Sequence, residues 1–194
     1  SQNEKRWQPP NEAYRKELIG KSNRTKQDKL TPYIEEQDLF RLLDDLESKD
    51  SSLFLAVGLI SIFGLRLSEL AVLRVVDGKL YVGNIKNNIN TKAKKEDRRV
   101  FPMELFKRTN LGKKLIELFE SKKITLPKPV LNQIEMVKDK NKYGDVGQAL
   151  RQLIERNKVW KEIIKTNPEI TPYSLRHRYA HQCHKGSTIP ISVK

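Results

Sequence analysis

The sequence of 194 residues has a single cysteine, Cys183, no membrane-length apolar run and too few acidic residues to balance its basic ones. One cysteine excludes an internal disulfide, so the chain suits a reducing compartment and we expect a cytoplasmic protein. The uncharged apolar run over 53–63 is shorter than the roughly 20 residues that cross a bilayer, and no apolar signal segment opens the sequence. These absences argue against a secreted or membrane protein.

Basic residues outnumber acidic ones 38 to 24, which gives a net charge of +14 and a pI of about 9.8. A charge of this size predicts a polyanionic partner, and nucleic acid is the expected one. The alternative is a basic protein without such a partner. The recurrence of basic residues near the candidate site segments favours nucleic acid.

Composition divides the chain into a basic arm over 1–30, which contains Pro9-Pro10, and a domain over 31–194. Apolar periodicity in the domain predicts helices over 34–46, 53–63, 67–73, 111–119 and 146–159. Alternation predicts two antiparallel strands over 79–85 and 98–103, joined by a basic connection over 86–97. The polar segment 122–144 is predicted to be a surface excursion. The expected fold class is α+β, mainly α.

The segment Gly64-Leu65-Arg66-Leu67-Ser68-Glu69-Leu70 places a charged pair beside the uncharged helix. A guanidinium next to a core helix needs a carboxylate or an anionic ligand, because it cannot lose its charge. Glu69 is the nearest carboxylate. Spacing alone leaves open whether Arg66 and Glu69 form an ordinary surface pair or part of an anion site.

A second segment, Thr171-Pro172-Tyr173-Ser174-Leu175-Arg176-His177, predicts a helix with Thr171 as its cap and Pro172 as its first residue. Tyr173 and Arg176 would then share a face near the helix N-terminus, where backbone N–H groups favour an anion. This pattern is typical of a phosphate pocket.

Together these two segments resemble the two arginine boxes of the tyrosine recombinases, the phage-integrase family, with a basic hairpin between them. The first box matches through Ser68 and Glu69. The second departs at Tyr173, where most members have His, and recombinases of cyanobacterial excision elements look similar in that departure. The resemblance covers the chain from about Thr31 onward.

The resemblance implies a catalytic domain with helices around a small antiparallel sheet. It implies site-specific DNA recombination, in integration or excision, by transesterification through a 3′-phosphotyrosyl intermediate. The partner would be double-stranded DNA, on which the full-length protein would be a tetramer. No metal or nucleotide cofactor is implied.

By that resemblance Arg66 and Arg176 would hold the scissile phosphate, and Tyr173 would donate a hydrogen bond to it. Glu69 would orient the neighbouring basic side chains, and His177 would pack against the first box. The general acid for the leaving 5′-oxygen would be a hairpin lysine. Lys92 is our choice from the run Thr-Lys-Ala-Lys-Lys over 91–95, and counting back from Pro102 favours Lys94 instead.

The spacing of His177, His181 and His184, next to Cys183, is compatible with zinc ligation on a helix. We predict no metal site there, because the arginine box already accounts for the segment and the sequence has no second ligand cluster.

No tyrosine follows Tyr179 in the sequence, and Tyr179 lies too close to Arg176 to be the family's nucleophile. We therefore expect a catalytic domain that is incomplete at its C-terminus and lacks the family's N-terminal core-binding domain. Such a fragment would bind DNA as a monomer or weak dimer without completing strand transfer. The alternative is a non-catalytic DNA-binding protein derived from a recombinase.

Overall fold

The structure, a computed structural model, describes residues 32–85, 97–105, 108–137 and 143–187. Within these ranges the α-helices are Glu36–Lys49 (α1), Ser51–Phe63 (α2), Leu111–Ser121 (α3), Lys128–Val137 (α4), Gly144–Arg156 (α5), Lys158–Thr166 (α6) and Ser174–Ser187 (α7). A 3₁₀ helix spans Leu67–Val72, and the strands are Leu73–Val76 (β1), Lys79–Val82 (β2) and Arg98–Arg99 (β3). This is a mainly helical α+β fold with one small sheet, as predicted. No helix in these ranges is both long and apolar enough to cross a membrane.

Helix α2 lies at the centre of the core, and every residue from Leu53 to Phe63 is buried. The helices α1, α3, α5 and α7 all contact it. A helix that is apolar on all faces is stable only when neighbours cover every face, and these four helices provide that cover. The predicted helix over 53–63 is confirmed.

Asp50 caps α2, since its Oδ1 accepts a hydrogen bond from the Leu53 N–H at 2.9 Å. We expect Asp50→Ala to lower the free energy of unfolding by about 1 kcal/mol, the usual value of an N-cap. Asp50→Asn is the matched control, because Asn caps as well as Asp. Urea denaturation of both variants would show the difference, and equal losses would mean that the charge matters and the cap does not.

The sheet has three strands in the order β1-β2-β3, all antiparallel, where the sequence predicted two. The missed strand, β1, pairs Leu73 with Val82 and is joined to β2 through Asp77-Gly78. Both turn residues have positive φ, 50° and 66°, which is the twist that a two-residue hairpin requires. The predicted strand over 98–103 is reduced to Arg98–Arg99.

Two predictions for the second half of the chain are wrong. The segment 122–144 is not only a surface excursion, because it contains α4, with Val130 and Val137 buried. The single helix predicted over 146–159 is two helices: Asn157 has extended backbone and ends α5, and its side chain accepts from the Trp160 N–H to start α6. Polar composition obscured the first helix, and a capping residue divides the second.

Helix α7 begins at Ser174, two residues after the predicted start. Thr171 does not cap it. Instead the Thr171 N–H donates to Ser174 Oγ at 3.1 Å, while the Ser174 N–H donates to the Thr171 carbonyl at 2.8 Å. Tyr173 therefore lies in the turn that leads into α7.

Candidate anion-binding site

Arg66 emerges where the apolar helix α2 stops. Gly64 ends the helix in the left-handed conformation, with φ of 62°, and Arg66 itself is extended. Glycine adopts this conformation without the Cβ clash of other residues. The turn therefore brings the charged side chain out of the core within two residues.

Glu69 lies beneath Arg66, with 5% of its side chain exposed. Its carboxylate accepts from the Arg66 backbone N–H at 2.7 Å and from an Arg66 guanidinium nitrogen at 2.8 Å. Burial alone would raise the pKa of this carboxyl, but hydrogen bonds from the Arg66 N–H and from Arg98 outweigh it, so the pKa lies below its usual value. Glu69 is ionised at neutral pH.

Three guanidiniums surround this one carboxylate. Arg98 donates to Oε2 at 2.7 Å, and a nitrogen of Arg176 lies 3.9 Å from the same oxygen, while Arg66 holds Oε1. Roughly half of the Arg66 and Arg98 side chains and a quarter of the Arg176 side chain are exposed. The cluster carries three positive charges against one negative charge, and the excess faces solvent.

The position of Arg176 is set by the contacts that α7 makes with Gly64 and with α1. A guanidinium N–H of Arg176 donates to the Gly64 carbonyl, and the Tyr179 ring packs directly on Gly64. Further along the helix, buried Arg178 donates to Glu36 at 2.6 Å. Arg66 and Arg176 thus reach one place although they come from distant parts of the sequence.

Tyr173 and His177 lie beside the two arginines. Their rings meet edge to face, with centroids 4.9 Å apart. The Glu69 hydrogen bond, assisted by the Tyr173 hydroxyl, holds the pKa of Arg66 above its usual range. Burial and the neighbouring Arg176 charge lower the pKa of His177, so His177 is neutral at neutral pH and is a poor proton donor.

The hydroxyl of Tyr179 is engaged, since it donates to the Phe101 carbonyl at 3.0 Å. Burial, together with Cys183, raises the pKa of Tyr179. A protonated, engaged phenol is a poor nucleophile. That Tyr179 is not the attacking tyrosine stays a prediction.

A cleft of about 290 Å³ opens beside Arg66 and Tyr173, and α5 forms its other wall. Gly147 on α5 lies against the segment after Arg66, since a Cβ there would stand 3.4 Å from the Ser68 backbone nitrogen, an ordinary contact distance. A larger groove of about 570 Å³, lined mostly by apolar side chains such as Leu73 and Phe119, lies away from the arginines. The smaller cleft is lined by Arg66 and Arg151, so an anion bound there would meet two guanidiniums.

The structure thus brings together five of the predicted site residues: Arg66, Glu69, Tyr173, Arg176 and His177. The two candidate lysines, Lys92 and Lys94, lie outside the described residues, as does the basic arm over 1–30. Among the described residues no group of three His, Cys, Asp or Glu side chains is placed to hold a metal.

Sequence reasoning missed Arg98 as a site residue. Its only signal was a charged doublet, Arg98-Arg99, at the start of a strand pattern. Nothing in that doublet indicates that the partner of Arg98 is Glu69, because the contact depends on how the sheet packs on the 3₁₀ helix. The same holds for the contact between Tyr179 and Gly64.

Comparisons with protein-family models, with curated proteins and with solved structures find no match to this chain. Three guanidiniums around one carboxylate, beside a cleft and with the Tyr173 phenol at its edge, can bind an oxyanion through several charge-assisted hydrogen bonds.

Proposed function

We propose that this chain binds double-stranded DNA and holds one backbone phosphate between Arg66 and Arg176. We further propose that it is the catalytic domain of a tyrosine-type site-specific recombinase. The observation that carries the proposal is the meeting of Arg66 and Arg176 at the buried Glu69 carboxylate. The net charge of +14 supports a polyanionic partner.

In the proposed reaction a tyrosine hydroxyl gives up its proton to water as its oxygen forms a bond to phosphorus, and the bond between phosphorus and the 5′-oxygen breaks. The 5′-oxygen leaves with a proton from the general acid, for which Lys92 is our choice and Lys94 the alternative. Negative charge develops on the non-bridging oxygens, where two fixed guanidinium forks are suited to stabilise it. Tyr173 adds a hydrogen bond, and Glu69 holds the forks in place.

Duplex binding tests the phosphate site directly. We expect Arg66→Gln and Arg176→Gln each to weaken binding of a short random-sequence duplex roughly 10- to 100-fold, the value of a lost charge-assisted hydrogen bond of about 1.5–3 kcal/mol. Fluorescence anisotropy at several salt concentrations measures this loss. The double variant should lose less than the sum of the two losses, because both arginines would hold the same phosphate.

Arg41→Gln is the matched control, since Arg41 is an exposed arginine that pairs with Asp38 and Glu162 and does not belong to the Glu69 cluster. It removes one positive charge without touching the cluster. If Arg66→Gln and Arg176→Gln bind DNA as the control does, the proposed phosphate site is wrong.

The second candidate function is DNA binding without catalysis, by a protein derived from a recombinase. The hydrogen bond from the Tyr179 hydroxyl to the Phe101 carbonyl favours this second function, because a hydroxyl held in that way is a poor nucleophile. Covalent trapping on nicked DNA separates the two functions. We expect no adduct from these 194 residues, and an adduct at Tyr173 or Tyr179 would contradict our view of the nucleophile. If these residues belong to a longer chain, a phosphotyrosyl adduct formed by that chain would support the recombinase.

A further inference from the structure

Arg98 donates a hydrogen bond to Glu69 at 2.7 Å and lies outside both arginine boxes. We propose that Arg98 is a third ligand of the bound DNA backbone, acting beside Arg66 and Arg176. The proposal rests on the proposed function, because it assumes that the arginine cluster binds DNA. It adds a phosphate-binding residue from the sheet to Arg66, which lies in the turn after α2, and Arg176, which lies on α7.

The backbone of Arg98 is held firmly. Its strand β3 pairs with β2, with Arg98 opposite Val82. The first residue after the strand, Val100, donates its N–H to the Leu80 carbonyl at 3.0 Å. The guanidinium is aimed by the 2.7 Å hydrogen bond to Glu69. An arginine fixed at both ends of its side chain loses little conformational freedom when it binds an anion.

Charge balance argues against a purely structural role for Arg98. A partner for buried Glu69 is already present in Arg66, which donates from both its backbone and its guanidinium. Adding Arg98 and Arg176 leaves two positive charges without a counter-charge in the cluster. About half of the Arg98 side chain remains exposed, so an incoming phosphate can reach it.

Arg99, the neighbour of Arg98 on β3, is the matched control for experiments on Arg98. Neighbouring residues on a strand point to opposite faces, and the Arg99 guanidinium stacks on the Phe101 ring with its carbon 4.4 Å from the ring centre. Both arginines are exposed, both belong to β3, and each carries one charge. They differ in whether they face the Glu69 cluster.

Arginine footprinting of the native chain tests the proposal without any substitution. The protein is treated with phenylglyoxal with and without a random-sequence DNA duplex, and modified arginines are mapped by peptide mass spectrometry. We expect DNA to protect Arg66, Arg98 and Arg176 and to leave Arg99 and Arg41 reactive. Protection of Arg66 and Arg176 without Arg98 would overturn the inference and leave the proposed function standing. Protection of none of the three would overturn both.

A salt titration with variants gives an independent measurement. Loss of one phosphate contact reduces the slope of log affinity against log salt by about 0.9. We expect this reduction, with a fall in affinity, for Arg98→Gln and not for Arg99→Gln. Equal changes in slope for the two variants would assign the effect to general charge and overturn the inference.

Discussion

Replacing Gly64 with alanine is expected to lower the free energy of unfolding by about 2–5 kcal/mol. The left-handed backbone of Gly64, with φ of 62°, costs a residue with a Cβ about 1–2 kcal/mol. The added Cβ would also stand 2.3 Å from a ring carbon of Tyr179, far inside contact distance. Forcing that much overlap in a packed region costs a further 1–3 kcal/mol or so. Urea denaturation measures the loss.

Gly78→Ala separates the two causes. Gly78 has nearly the same backbone conformation, with φ of 66°, but no atom lies within 4 Å of an added Cβ. Its loss should therefore be limited to the backbone part, about 1–2 kcal/mol. If the two variants lose equal stability, the contact with Tyr179 contributes nothing and this explanation is wrong.

The Gly64 variant should also bind DNA more weakly than its stability loss explains. The Gly64 carbonyl accepts from Arg176, and the same turn leads into Arg66. Pushing Tyr179 away moves α7, and with it Arg176, relative to Arg66. Binding by the folded fraction of Gly64→Ala, compared with Gly78→Ala, measures this displacement. Unchanged binding would mean that the two arginines need no fixed spacing.

Local patterns were sufficient to predict the first half of this site. The uncharged run over 53–63, the glycine after it and the spacing of Arg66 and Glu69 all lie within one short stretch of sequence. Three local rules apply to this stretch. Apolar periodicity predicts the helix, a glycine predicts where it ends, and an arginine beside a core helix needs a carboxylate. The structure shows the helix, the stop and the pair where those rules place them.

Long-range features were beyond the same reasoning. The approach of Arg176 to Arg66 was expected only from the family resemblance, and the contact of Arg98 with the same oxygen of Glu69 was not expected at all, because it depends on how the sheet packs on the 3₁₀ helix. No sequence period records that packing. The errors have local causes: the polar residues around Val130 and Val137 hid α4, and the capping side chain of Asn157 split a continuous apolar pattern.

Removing the charge of Glu69 should be the most damaging single change to the cluster. In Glu69→Gln the amide NH₂ would face a guanidinium where a carboxylate oxygen now accepts, and three positive charges would remain without their shared counter-charge. A lost hydrogen bond to a charged group costs about 1.5–3 kcal/mol. A fully buried ion pair would cost about 3–5 kcal/mol, but water reaches these arginines and lowers the cost. We expect about 1.5–3 kcal/mol in urea denaturation.

Glu155→Gln is the control for that substitution. Glu155 pairs with Arg151 at 2.7 Å on the surface of α5, and both side chains are largely exposed. Such a pair contributes only a few tenths of a kcal/mol, so the control should unfold almost as the unchanged protein does. If both variants lose similar stability, the burial of Glu69 is not what makes its charge important.

Acid should remove the difference between Glu69→Gln and the unchanged protein. Hydrogen bonds outweigh the effect of burial and place the pKa of Glu69 below its ordinary value of 4.5. The unfolded chain therefore takes up this proton at a higher pH than the folded chain does. The stability contributed by Glu69 is fully present above the ordinary value and is lost as the pH falls through the lower, folded pKa. The two unfolding free energies should differ at neutral pH and converge in acid. A gap that persists after the carboxylate is protonated would show that shape, and not charge, is what the three arginines require of Glu69.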